Sequence, residues 1–175
     1  MQNHALHIKD FTTELKGLAL GDFFFDNKGR KFRLYELATT LAGDEISDGD
    51  VLVLKAALIV TNDVSTGLDA TNPITAGVAW CRGGDVAKSA AATPKYIPVL
   101  VEGIHDDVYI GANTVAEGDN ISADPAIDRA AIAFDPSAAY DRDEQRKYLQ
   151  SVFGTALEAK DATTLKAKCL VHVKI

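Results

Sequence analysis

The side chains with the clearest chemical potential are His105, Asp106 and Asp107, three adjacent polar residues. They follow an apolar, strand-like run at residues 96–104, and a carboxylate beside an imidazole can raise its pKa or orient its ring. Catalysis would also require a nucleophile and a way to exclude water, and the sequence points to neither. We therefore predict a solvated turn between two strands, whose replacement changes stability by less than about 1 kcal/mol.

Two other groups have the composition of metal sites. One is an acidic turn with four carboxylates that could supply oxygen ligands to Ca²⁺: Asp44, Glu45, Asp48 and Asp50. Their spacing differs from that of an EF-hand loop. His4 and His7 could share one face of a helix, but no third ligand is adjacent to them. Chance spacing is the favoured interpretation of both groups, so no metal-binding residue is predicted.

The two cysteines, Cys81 and Cys169, each lie in an apolar, strand-like segment without a nearby cysteine. We interpret them as reduced, buried thiols rather than as a disulfide or a zinc site. Phosphate-binding loops and the nucleophile elbow of hydrolases are absent from the sequence. These observations predict a protein that is not an enzyme, with no catalytic or cofactor-binding residues.

Length and charge narrow the class of protein further. The chain has 175 residues, 47% of them hydrophobic and 25% charged, which is typical of one globular domain. Its net charge of −7 repels phosphate backbones, and the densest basic cluster, residues 29–33, reads as a solvated strand face. No segment has the composition of a membrane helix or a secretory signal. We predict synthesis in a cytoplasm, with no nucleic-acid or membrane partner.

A pattern of small residues and turn formers occurs twice. Each copy has a Gly-Asp turn, a strand, a Gly-x-Ala strand, an acidic turn and a closing strand. The first copy contains Gly49-Asp50, the apolar run at residues 51–60, Gly77-Val78-Ala79-Trp80, Asp85 and the strand at 96–104. The second contains Gly118-Asp119, Gly154-Thr155-Ala156-Leu157, Asp161 and the strand at 168–175. The run at 51–60 is typical of a strand with both faces covered or of a buried helix, and its Val and Ile content with the preceding Gly-Asp favours the strand.

Other segments complete the predicted architecture. Residues 23–37 have the signature of a β-hairpin with its turn at 26–29, and Trp80 reads as a core or interface anchor. Pro98 implies an edge strand or an N–H outside the ladder. The last strand alternates apolar and polar side chains from Leu165 to Ile175, with Leu170 as the exception. Residues 137–151 are the one helix candidate.

The predicted fold class is mainly β, an antiparallel sandwich or barrel-like domain with the doubled strand-turn pattern. One short helix and an N-terminal arm accompany it. The predicted boundaries are 1–22 for the arm, which is apolar but aperiodic, and 23–175 for a single β-rich domain.

In the order and doubling of these motifs, residues 49–175 resemble the capsid decoration (cement) proteins of tailed bacteriophages. The shared elements are GDVLVLKAALIV, ITAGVAWCRGGDV, YIPVLVEGI, VAEGDNIS and the closing FGTALEAKDATTLKAKCLVHVKI. The chain departs from the family pattern in its longer insert between Asp119 and Gly154 and in Trp80, and residues 1–48 have no counterpart.

The resemblance implies a structural virion protein on the outer surface of a phage head. Such a protein, commonly a homotrimer, bridges neighbouring major capsid proteins and stabilises the head. Two alternatives remain: another virion component such as a tail-tube or head-completion protein, and a small-molecule-binding or hydrolytic β domain using His105, Asp106 and Asp107.

Overall fold

The computed structural model describes residues 17–69, 73–82, 84–90, 92–135 and 151–173. Strands and two single turns of 3-10 helix, Ala42–Asp44 and Val64–Thr66, are joined by loops and turns in these residues. The predicted mainly β fold is confirmed. Twelve strands are present in the described parts of the chain: β1 (Phe23–Phe25), β2 (Lys31–Leu37), β3 (Glu45–Ile46), β4 (Val51–Ala56), β5 (Ile59–Thr61), β6 (Thr75–Ala79), β7 (Val86–Ala87), β8 (Tyr96–Tyr109), β9 (Asn120–Ala123), β10 (Ala131–Ala133), β11 (Val152–Ala156) and β12 (Lys166–His172).

Ten of the described strands form one mostly antiparallel sheet in the order β1-β2-β5-β4-β6-β8-β12-β11-β9-β10. An additional pairing of β2 with β8 closes β2, β5, β4, β6 and β8 into a small barrel. The long strand β8 leaves the barrel at its C-terminal half and pairs there with β12. Strand β8 therefore joins the barrel to a second layer formed by β12, β11, β9 and β10.

Two hydrophobic clusters match this division. One cluster includes Leu52, Ala79 and Val99, which lie on the barrel strands. The other combines barrel residues such as Leu100 with residues of the second layer such as Cys169. Because β6 also contacts β11 and β12, the second layer packs against one wall of the barrel.

The predicted hairpin at residues 23–37 is confirmed as β1 and β2. Asp26 forms its turn: one carboxylate oxygen accepts hydrogen bonds from the amides of Lys28 (2.9 Å) and Arg30 (3.0 Å). Gly29 takes a left-handed conformation (φ +77°), which glycine adopts without steric cost. The turn residues thus set the register in which Phe24 pairs with Phe32.

The prediction of one strand at residues 51–60 was wrong. The chain reverses at Ala57 and Leu58, so that β4 and β5 form an antiparallel hairpin. Strand β5 then lies parallel to the end of β2, with Leu37 opposite Val60, and completes the barrel. The reversal was invisible in the sequence because neither turn residue is a typical turn former.

The doubled pattern corresponds to a real structural repeat. In the first copy the Gly49 amide donates to the Ala79 carbonyl (3.1 Å), and the Ala79 amide donates to the Asp50 carbonyl (2.8 Å). In the second, Gly118 donates to Ala156 (2.9 Å), and Ala156 donates to Asp119 (2.8 Å). We call β4, β5, β6 and residues 96–101 of β8 the first unit, and β9, β10, β11 and β12 the second unit.

A third Gly-Asp turn of the same kind precedes β1. Gly21 donates to the Leu34 carbonyl (2.8 Å), and Leu34 donates to the Asp22 carbonyl (3.1 Å). Gly21, Gly49 and Gly118 have φ values of +88°, +91° and +89°. In the sequence, no Gly-x-Ala motif follows this turn before Gly49, so the doubled pattern did not reveal it.

Two other sequence predictions have outcomes in the described residues. Pro98 does not lie in an edge strand, because β8 pairs with both β2 and β6, and the Pro98 carbonyl accepts from Trp80 (3.4 Å). The alternation of the last strand is confirmed within β12, although Leu165 precedes the strand with φ +59°. The helix candidate lies outside the described residues except for Ser151, and residues 1–16 of the arm lie outside them entirely.

Within the part of the chain that the structure describes, no helix has the length and apolar character needed to cross a membrane.

Candidate interaction surface

The sequence predicted that residues 105–107 form a solvated turn, and this prediction was wrong. These residues lie inside β8, which continues to Tyr109 by pairing with β12, and His105 stands opposite Cys169. The His105 side chain is fully buried (0% exposed), whereas Asp106 is exposed. Because β8 continues beyond residue 104, its side chains alternate between the interior and the surface, so that His105 faces inward and Asp106 faces outward.

Both ring nitrogens of His105 have partners. Nδ1 accepts a hydrogen bond from the Asp107 amide (3.1 Å), so this nitrogen carries no proton. Nε2 is then the donor nitrogen; it lies 3.2 Å from the Ala79 carbonyl oxygen and 3.5 Å from Asp48 Oδ1. The His105 ring is inaccessible to solvent, and both of its nitrogens have partners. These contacts connect β8 to the end of β6 and to the acidic turn.

Asp48 connects this buried ring to the surface. Burial alone would raise the pKa of Asp48, but hydrogen bonds from His105 and from the Cys81 amide (2.7 Å), with the charge of Arg82, hold it below its usual value. Arg82 also lies near Asp106 and Asp107 (3.7 and 3.8 Å). These charges are satisfied within the cluster, which supports a structural role.

Asp50, the last carboxylate of the acidic turn, joins the first unit to the loop before β10. Asp50 is 1% exposed, and both of its carboxylate oxygens accept from Arg129 Nε (3.0 Å each). Its Oδ2 also accepts a hydrogen bond from Asn62 Nδ2 (3.0 Å). Burial raises the pKa of Asp50, although hydrogen bonds from Ser47 and Asn62 and the charge of Arg129 oppose it.

The acidic turn directs its carboxylates to different partners. Asp44 pairs with Lys88, and Asp48 and Asp50 are engaged with the groups described above. Among the described residues, no group of three or more His, Cys, Asp or Glu side chains is arranged to hold a metal ion. His4 and His7 lie outside the described residues.

Trp80 is a core residue, the first of the two roles that the sequence allowed. Its ring packs edge-on against Phe32 (5.4 Å) and His105 (5.0 Å). The guanidinium groups of Arg30 and Arg82 lie 4.0 and 4.5 Å from the ring centroid. The basic cluster at residues 29–33 is thus partly used to cover aromatic rings through cation–π contacts.

Cys81 and Cys169 are both free and buried, as predicted. Burial raises the pKa of each thiol, further helped by the nearby carboxylates Asp48 and Glu158, respectively. Because the thiolate is the reactive form, neither side chain is suited to nucleophilic chemistry.

An exposed face of the sheet is the feature that the sequence did not identify. Side chains that are direct cross-strand neighbours form a row on its outer side: Ile104 of β8, Leu170 of β12, Thr155 of β11 and Asn120 of β9. Ile104 and Leu170 are each 42% exposed. We call these four residues the open row, and the outer surface of β8, β12, β11 and β9 around them the open face.

A row with the same register runs across β2 and the first unit. In this row Phe32 pairs with Leu100, Leu100 with Val78, and Val78 with Val51. The open row has the same succession of pairs: Ile104 with Leu170, Leu170 with Thr155, and Thr155 with Asn120. We call the row across β2 and the first unit the covered row: Phe32, Leu100, Val78 and Val51. All four side chains are at most 2% exposed, because the second unit packs over them. The open row is therefore the repeat-related counterpart of a packing surface.

The sequence held one signal for the open face. Leu170 interrupts the alternation of the last strand, placing an apolar side chain among exposed polar ones. Charged and titratable side chains surround the pair of apolar residues: Glu102 and His172 on one side, Asp106 and Lys168 on the other. An apolar centre within a polar rim is the composition of many protein interfaces.

In comparisons with known proteins, no family model, no curated protein and no solved structure matched the chain.

Proposed function

We propose that the protein is a structural virion component that decorates the outside of a phage head. In this role it binds neighbouring major capsid proteins and stabilises the assembled shell. The observation that carries the proposal is the open row. Its repeat-related counterpart, the covered row, is completely buried by a β-layer, whereas Ile104 and Leu170 present the equivalent positions to solvent.

The proposal is also supported by how the polar side chains are used. Ionisable groups that could do chemistry in a β domain, above all His105 and Asp50, are buried and bonded to the frame. They support the junction of the two units at the end of β6 and before β10. A repeated β domain that exposes one face of its sheet suits a structural protein that acts by binding other proteins through that face.

We further propose that the protein acts as a homotrimer. A decoration protein at a threefold position makes several modest contacts at once, and later contacts become effectively intramolecular once the first has formed. Strong binding is therefore expected only on an assembled lattice, where several capsid subunits present their surfaces together.

Two measurements test this proposal. Light scattering gives the mass of the free protein, and titration onto expanded heads that lack decoration compares them with unassembled capsid protein of the same virus. We expect a trimer that binds heads much more tightly than free subunits. Rings or stacked tubes would favour a tail component instead, and a monomer that binds heads and subunits equally would contradict the proposal.

A further inference from the structure

The N-terminal hairpin carries a feature that the open face does not explain. Among the described residues, β1 pairs only with β2, so its other side is a free strand edge. The Asp22 carbonyl accepts from Leu34 (3.1 Å), and the Asp26 amide donates to Arg30 (3.1 Å). Because antiparallel strands alternate, positions 22, 24 and 26 face β2, and the amides and carbonyls of Phe23 and Phe25 point away from it.

The side chains at this edge are large and exposed. Phe23 and Phe25 are 42% and 49% exposed, whereas Phe24 between them is buried in the core. An uncovered strand edge with aromatic side chains is a template for pairing with another chain. Proteins that leave such an edge free usually blunt it with charge or proline, and neither residue type occurs within β1.

The hairpin has a charge opposite to that of the chain. Residues 23–33 contain four basic and one acidic side chains, a net charge of +3 in a chain of −7, so the remainder carries −10. Asp26 already pairs with Arg30. The Phe23 side chain borders the free edge, and Lys31 Nζ and the Arg33 guanidinium lie 4.5 and 5.0 Å from the centroid of its ring.

We propose that β1 is a strand-addition site for an extended, acidic segment of a partner protein. The added strand would bond to the backbone of Phe23 and Phe25, and its carboxylates would meet Lys31 and Arg33. Charge complementarity selects this occupant over residues 1–16 of the same chain, which contain two basic and two acidic side chains. The inference goes beyond the proposed function, because it requires no capsid and concerns a different surface.

The test uses the full-length chain and two fluorescent eight-residue peptides, one alternating Val and Glu and the other alternating Val and Lys. We expect the Val–Glu peptide to bind and the Val–Lys peptide to bind at least about tenfold more weakly. Phe25→Pro removes the outward-pointing amide together with the ring and should weaken Val–Glu binding about tenfold. Phe25→Val removes the ring but keeps that amide, and its binding should stay within about threefold of the parent's. Equal binding of both peptides, or equal losses in both variants, would overturn the proposal.

Two further readouts keep the test decisive if Phe25→Pro fails to fold. Lys31→Glu leaves the backbone edge intact and should shift preference from the Val–Glu to the Val–Lys peptide. Hydrogen exchange of the free, full-length protein should show fast exchange at the Phe23 and Phe25 amides and slow exchange at Phe24. Protection of all three amides would mean that a second copy or residues 1–16 already occupy the edge, and would refute the proposed occupant.

Discussion

His105 and Asp106 are neighbours in the chain with opposite environments. The His105 ring is enclosed by Trp80, Ala79 and Asp48, while the Asp106 carboxylate reaches the surface beside Arg82 and Lys168. Sequence reasoning found this polar group but placed it in a turn, because burial depends on a partner strand more than 60 residues away, not on local residue types. At the residue scale, environment decides the role of each side chain.

Replacement of His105 is therefore predicted to be costly, in contrast to the near-neutral change expected from the sequence. His105→Ala should lower the free energy of unfolding by about 3 kcal/mol, since it removes buried volume and leaves the Asp107 amide without an acceptor. Asp106→Ala, the matched exposed control, should change it by less than about 0.5 kcal/mol. Urea denaturation of both variants measures these values, and similar losses would contradict the assigned roles.

The lowered pKa of Asp48 predicts a specific acid sensitivity. A carboxyl group whose folded pKa lies below its unfolded value, ordinarily about 4, contributes stability above that value and loses it as the pH falls through the folded pKa. The raised pKa of Asp50 has the opposite effect on stability. Its contribution to the free energy of unfolding is present below the unfolded pKa and is lost as the pH rises through the folded pKa. Unfolding measured from pH 5 to pH 2 should decline less steeply in Asp48→Asn than in the parent; identical slopes would disprove this.

At the scale of strands, the two units depend on the same close backbone approach. A Cβ atom at Gly77 would lie 2.3 Å from the Leu100 carbonyl oxygen, and one at Gly154 would lie 2.4 Å from that of Leu170. The Gly-x-Ala motif visible in the sequence is thus a packing requirement at both sites. The motif order revealed the repeat, but the hairpin at residues 51–61 and the closure of the barrel depend on pairings that no local motif records.

Substitution of two glycines in the second unit separates steric from conformational cost. Gly154→Ala should destabilise the protein by about 3 kcal/mol or more, because the methyl group collides with backbone rather than with a flexible side chain. Gly118→Ala meets no atom within 4 Å, and only its left-handed φ of +89° costs about 1–2 kcal/mol. Thermal or urea unfolding gives the comparison, and a larger loss in Gly118→Ala would contradict the packing argument.

At the scale of the whole molecule, the second unit covers one face of the first and leaves its own equivalent face uncovered. The covered row has Leu100 and Val78 at its centre, and the open row has Leu170 and Thr155 at the same positions. Two changes in the repeat, Val51 to Asn120 and Val78 to Thr155, make the open row more polar than the covered row, as suits a face in contact with solvent. Leu170 and Ile104 remain as the apolar centre of the open face, each 42% exposed.

The most direct test of the proposed capsid-binding role is titration of expanded, undecorated heads with Leu170→Asp and with Leu68→Asp. Both parent side chains are exposed leucines (42% and 56%), but Leu68 lies outside the open face, in the loop after β5. Leu170→Asp should fold normally and bind heads at least about tenfold more weakly, because a charge would be buried at the centre of the contact. Leu68→Asp should bind like the parent. Unchanged binding by a folded Leu170→Asp protein would contradict the assignment of the open face to the capsid contact.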